Sequence, residues 1–166
     1  MTTFRFLFGG TFVPLMSTKA FNFNNIYIMP LTLTLTEGVL PVGTEKKAVQ
    51  QITDSLLKTH GLTGNTVMTP NITANVHIVP KGSSFSGGEE FLGAWAEWKV
   101  PSFALADQAI IKQHFAEVTE IIYNLSGGKQ PKDNIYVNAV HAVDGAWNLD
   151  GIAMTNEELG QAISKG

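Results

Sequence analysis

Pro30 is the residue with the most distinctive chemistry in this sequence, and it follows Met29 directly. A proline at a free amino terminus is a secondary amine, ordinarily too basic to be neutral at pH 7. Burial in an apolar pocket disfavours its ammonium form and brings it toward neutrality. An amine poised near the working pH can remove a proton beside a carbonyl group and return it elsewhere on the molecule. The condition is strict: with residues 1–28 attached, the Pro30 nitrogen is an amide without a basic lone pair. Proline also opens strands for purely structural reasons. Tyr136 and Asn138 stand two apart, so on a strand they share one face. There a phenol and an amide can bind or polarise a carbonyl oxygen, or simply pack at an interface. His60 is a candidate for orienting a substrate, although a histidine closing a helix also suits the helix dipole. The four histidines show no metal-ligand spacing, so no metal is expected, and no cofactor. Glu97 and Asp144 are further candidates for a second acid or a water-activating group.

The elements that must position these groups follow from periodicity. Leu31 to Thr36 alternates apolar and hydroxylated residues, the period of a half-buried strand. A turn with Pro41 follows, and Thr44 is placed to cap a helix with Glu45 in its first turn. Val49, Ile52, Leu56 and Leu57 form its apolar stripe, ending near Gly61. Asn71 to Val79 reads as a second strand closed by Pro80, and a loop rich in Gly and Ser follows. Phe91 to Val100 reads as a third strand. Leu105, Ile111, Phe115, Val118, Ile121, Ile122 and Leu125 fall at helical spacing, and Gly127-Gly128 ends that helix. Asn134 to Val143 is a fourth strand before the Asp144-Gly145 turn, and Thr155 with Glu158 makes a capping box for one last helical turn. The order β-α-β-β-α-β predicts an α+β fold, a four-stranded sheet with two helices on one face. The other face, carrying residues such as Trp95 or Trp98, is then expected to be covered by further copies of the chain.

Composition excludes whole classes. With 166 residues, 44% hydrophobic and 15% charged, the chain can build one compact domain. Its formal net charge is −3 and its lysines are scattered, a poor match to nucleic acid or an anionic membrane. The absence of cysteine removes disulfides, thiolate catalysis and cysteine metal ligands. No apolar run approaches the length needed to span a bilayer. The expectation is a cytoplasmic protein acting on a small molecule. Residues 1–28 differ from the rest: six phenylalanines, no acidic residue, and Arg5 and Lys19 as the only charges. They read as an N-terminal extension, removed or arising from a mis-called start, ahead of a domain over 29–166. A targeting peptide is an alternative, weakened by Gly9-Gly10 and Pro14 within the apolar stretch.

Four segments together carry a resemblance: Met29-Pro30 at the head of a strand, Asn75-Val-His-Ile-Val-Pro80, Asp133-Asn-Ile-Tyr-Val-Asn138, and Gly145-Ala-Trp-Asn148. The chain resembles the tautomerase superfamily over residues 30 to about 151, particularly members that fuse two β-α-β units and assemble as homotrimers. The last three segments are similar to the macrophage migration inhibitory factor branch, whereas His60-Gly-Leu-Thr-Gly64 is similar to the cis-3-chloroacrylic acid dehalogenase branch. The resemblance implies removal of the initiator Met, Pro30 as catalytic base, and Tyr136 and Asn138 lining a neighbouring subunit's site. It also places Lys99 where the dehalogenase branch has a cation, so that Lys99 could hold a substrate carboxylate as a point charge. Trp98, with Trp95 and Trp147, is a candidate pocket wall, although packing is the default for tryptophan.

One departure narrows the chemistry. From Met29 onward there is no arginine. Lysine cannot reproduce the bidentate fork with which arginine holds carboxylates, and Ser102 stands where the dehalogenase pattern has a second one. Keto–enol tautomerisation of a 2-oxo acid-like substrate gains from this. A hydratase, decarboxylase or dehalogenase on the same scaffold is the alternative, and a non-catalytic trimeric binding protein is the third.

Overall fold

The computed structural model describes residues 29–149 and 151–166; the N-terminal extension expected over 1–28 lies outside the described residues. Strand β1 (Met29–Thr36) leads to helix α1 (Glu45–Thr59) and strand β2 (Ile72–Val79). A short hairpin, β3 (Phe85–Ser86) and β4 (Glu89–Glu90), precedes β5 (Ala94–Pro101), α2 (Gln108–Leu125) and β6 (Ile135–Ala142). A second small hairpin, β7 (Trp147–Leu149) with β8 (Ile152–Met154), and helix α3 (Asn156–Ile163) complete the chain. The main sheet has the order β2-β1-β5-β6. β1 runs parallel to β2 and β5 parallel to β6, while the two inner strands β1 and β5 are antiparallel. The expected α+β architecture is therefore present: two β-α-β units joined at their first strands, leaving β2 and β6 as the margins.

Side-chain alternation sorts the sheet into two faces. Leu31, Leu33 and Leu35 of β1 join Ala94, Ala96, Trp98 and Val100 of β5 in the core, against Ile52 and Leu56 of α1 and Val118 and Ile122 of α2. Each such leucine, removed from water, contributes about 1.5–3 kcal/mol. The opposite face carries Pro30, Thr32 and Thr34 of β1 beside Lys99, Glu97 and Trp95 of β5. Beyond β5 stand Val140, Asn138 and Tyr136 of β6; beyond β1 stand Thr73, Asn75 and His77 of β2.

Local details depart from the sequence reading in four places. Thr44 does not cap α1 with its side chain; its hydroxyl donates instead to the Pro41 carbonyl at 2.7 Å. Helix α2 begins at Gln108, capped by Asp107, whose carboxylate accepts from Ala109 and Ile110 N–H. Leu105 consequently belongs to the loop before α2, not to its apolar stripe. Helix α3 runs eight residues from the Thr155–Glu158 capping box, through Gly160. The third strand starts at Ala94 rather than Phe91, and Gly93 before it approaches Phe91 and Trp95 so closely that a Cβ there would lie 2.8 Å and 2.5 Å from their rings.

Candidate active site

Pro30 is the second residue of β1, half-buried, and paired with Thr73 of β2. On its other side the antiparallel register pairs Leu31 with Trp98, so one step further Pro30 and Lys99 stand side by side on the open face. The Lys99 ammonium lies 3.9 Å from the Glu97 carboxylate, and both side chains retain substantial exposure. Such an exposed ion pair is weak, so Lys99 is available to an incoming anion. Glu97 also accepts a 3.3 Å hydrogen bond from the Asn138 amide. Lys99, Glu97 and Asn138 thus form one polar chain, of which Lys99 stands beside Pro30 and Asn138 lies two strands away.

Tyr136 sits elsewhere in the protomer. It pairs with Trp95, which pairs with Thr34, four residues along β1 from Pro30. At about 3.3 Å per residue that is roughly 13 Å along the strand, with two strand spacings of about 4.8 Å to cross besides. Its ring stacks on Trp95 at 5.9 Å, with Phe91 edge-on to both. Within one chain Pro30 and Tyr136 are not brought together.

Trp98 requires a correction. Three residues from Trp95, it points to the other side of the strand and is fully buried under the helices. It belongs to the core, and the expectation that it faces outward as a pocket wall fails for that reason. Its ring lies 5.7 Å from that of His114 on α2, and neither Trp98 Nε1 nor His114 Nε2 has a hydrogen-bond partner among the described residues. His114 Nδ1 is 3.0 Å from the Ser55 hydroxyl, which donates to Glu117 at 2.7 Å. Since that hydroxyl has a single proton, the His114 Nδ1–H must donate to it. Burial, reinforced by nearby His60 and opposed by Glu117, pushes His114 down from 6.5 to about 4. The Ser55 and Gln113 hydrogen bonds lower the Glu117 carboxyl.

At the start of β1 a small, partly open apolar pocket of about 40 Å³ is lined by Met29, Leu62, Phe103, Trp147, Leu159 and Ile163, with His60 at its wall. Met29 itself is almost completely buried there. The C-terminal segment, which sequence reasoning reduced to a single helical turn, closes this cavity through Leu159 and Ile163 of α3. His60 Nδ1 donates to the Leu56 carbonyl at 3.0 Å, and Nε2 accepts from the Leu105 N–H at 3.3 Å. Both ring nitrogens are therefore engaged by backbone. Asp144 accepts from the Asn156 N–H at 2.6 Å, fixing the start of α3. A larger open groove of about 730 Å³ runs between α1 and α2 among Lys47, Asp54, Lys58, Glu117 and Glu120. It is a solvent-open furrow of mixed charge on the outer side of the helices, away from Pro30.

No protein-family model matches this chain, and no curated protein does at a significant level. Solved structures do. The chain superimposes on the F6 fused 4-OT wild-type asymmetric trimer with a TM-score of 0.62 and 14% identity, covering 79% of this chain and 98% of that one. A macrophage migration inhibitory factor-like protein from Entamoeba histolytica aligns with a TM-score of 0.58 and 15% identity, over 76% and 98%. FG41 malonate semialdehyde decarboxylase, inhibited by 3-bromopropiolate, aligns with a TM-score of 0.57 and 10% identity, over 79% and 95%. At these identities the likeness is one of fold. The chain has the fold of the tautomerase superfamily.

Proposed function

We propose that this protein is a tautomerase that moves a proton on a small 2-oxo acid-like carbonyl compound, with Pro30 as general base once it is the amino terminus. The observation that carries the reading is the position of Pro30, at the head of an inner strand, beside Lys99 on the open face and directly after Met29, which lines a small apolar pocket. Lys99 would hold the substrate carboxylate, and the space that Met29 vacates next to this pocket its apolar end. The low-polarity surroundings would keep the amine neutral enough to accept a proton. With Met29 in place, its side chain fills this end of the core and its carbonyl makes Pro30 an amide, so the processed chain is the active form.

The open face supports a homotrimer. It carries Trp95 and Tyr136, and the margins expose Val76, Ile78 and Val140. Tyr136 and Asn138 would meet Pro30 only from a neighbouring protomer, consistent with the two strand spacings and, for Tyr136, the further roughly 13 Å along the strand that separate them from it within one chain. Glu97, on the same face as Pro30, favours a second reading in which it activates water for hydration or decarboxylation. Among the described residues no helix is long and apolar enough to cross a membrane.

The test compares chains beginning at Pro30 and at Met29 in the ketonisation of phenylenolpyruvate, followed by ultraviolet absorbance. The Pro30 chain is expected to turn over, and the Met29 chain to be inert. Equal rates for the two, or an unaffected Pro30→Ala variant, would overturn the assignment of the base. Sedimentation of a monomer would overturn the shared site.

A further inference from the structure

We infer that His60 and His141 act as a clamp on the loop between β5 and α2, making them positioning residues for the pocket that Met29 lines. Leu105 is the one non-glycine residue with a positive φ, 50°, among the described residues. A leucine gains nothing locally from the left-handed conformation, which crowds its Cβ against the backbone. Such a residue persists only where its surroundings over-determine it. Here they do so from three directions. The Leu105 side chain is 1% exposed in the core. Its N–H donates to His60 Nε2 at 3.3 Å, and its carbonyl, together with that of Ala104, accepts from His141 Nε2 at 3.2 Å and 2.9 Å.

The two histidines come from different halves of the fold. His60 closes α1 in the first β-α-β unit; His141 stands on β6 in the second. Between them they fix the segment whose Phe103 and Ala104 form the cavity wall facing Met29. Ser102 in the same loop accepts a hydrogen bond from the Asn156 side chain at 2.8 Å, tying in α3 as well. The proton positions follow from the partners. A carbonyl only accepts, so His60 carries its proton on Nδ1, toward Leu56, and presents a lone pair on Nε2 to Leu105. His141 must carry a proton on Nε2. His60 therefore has no ring nitrogen left for a substrate, and its influence runs through the loop.

The kinetic consequence rests on the proposed Pro30 chemistry, while the geometry does not. Long-range proton–nitrogen NMR of the full chain, labelled at histidine, reads the tautomers without any variant. His60 protonated on Nδ1 and His141 on Nε2 is the expected result; His60 protonated on Nε2 overturns the clamp. Amide hydrogen exchange then tests the contact. In His60→Asn, which lacks the reach of Nε2, the Leu105 amide should lose protection while the β1 and β5 amides keep theirs. His60→Gln, whose carbonyl oxygen reaches that position, should restore it. Unprotected Leu105 in the wild type overturns the inference. In the chain beginning at Pro30, His60→Asn should raise KM several-fold for an enol with an apolar side group and leave kcat within about two-fold. A fall in kcat at unchanged KM would instead make His60 a substrate-contacting group. If no enol is turned over by any chain, the tautomers and the exchange still decide the clamp, and the failure falls on the Pro30 reading alone.

Discussion

Acid stability is where a single buried side chain should be measurable. In the folded protein His114 has no solvent exposure and sits near 4 rather than 6.5. In the unfolded chain it titrates at its ordinary value. As pH falls through 6.5, the unfolded chain takes up a proton that the folded chain refuses, so folding loses ground down to about 4, below which both states are protonated. Above 6.5 neither state is charged and the full stability is present. The fall from 6.5 to about 4 is between two and three pK units, and at ~1.4 kcal/mol per unit the loss is about 3 kcal/mol. That is a large part of the stability of a typical domain. Glu117, whose carboxyl is also lowered, acts in the same direction: its contribution is present above its unfolded value and lost as pH falls through the folded one. The assay is urea unfolding followed by tryptophan fluorescence, repeated across this range. His114→Leu separates the two groups. It removes the titrating ring and its unpaired Nε2 but leaves Ser55 bonded to Glu117. The variant should lose most of the pH slope between 6.5 and 4 while keeping its cooperative unfolding. A wild type whose stability is flat over that range, or a variant with the same slope, would refute the assignment of the proton to His114.

Three further outcomes are expected. Gly93→Ala drives a methyl into the Trp95 and Phe91 rings, which are held by stacking against Tyr136, and should cost about 1–3 kcal/mol in urea unfolding. Thr155→Ala removes the hydroxyl of the capping box and should cost about 1 kcal/mol, seen first as faster amide exchange in α3. Lys99→Ala, in the processed chain, should raise KM for a carboxylate substrate by roughly ten-fold or more, the scale of a charge-assisted hydrogen bond, with a smaller effect on an uncharged analogue.

The sequence made some of this legible because the signal was local. The alternation of Leu31, Leu33 and Leu35 with threonines assigned the two faces of β1, and the spacing of Tyr136 and Asn138 put both on one face of their strand, which in the sheet is the open one. The same parity separates Trp95 from Trp98, three residues apart, which is why both could not face outward. What was not legible depended on distant partners. Leu105 fits a helical stripe by spacing alone, and only His60 and His141, 45 and 36 residues away, hold it in the left-handed region. The small hairpin at 85–90 was signalled by Gly87-Gly88 between short flanks but was absorbed into a Gly- and Ser-rich loop. Two strands of two residues carry too little periodicity to stand out.

If the two marginal strands are covered by further copies of the chain, as proposed above, stability becomes a matter of concentration. Among the described residues β2 and β6 each leave one side of their backbone without a strand partner, and neither carries the lysines or prolines that usually blunt such edges. Association that covers those edges draws the folded population with it by mass action. Dilution should then lower the apparent melting temperature of this protein without any change in its covalent structure, and a crowded preparation should look sturdier than a dilute one.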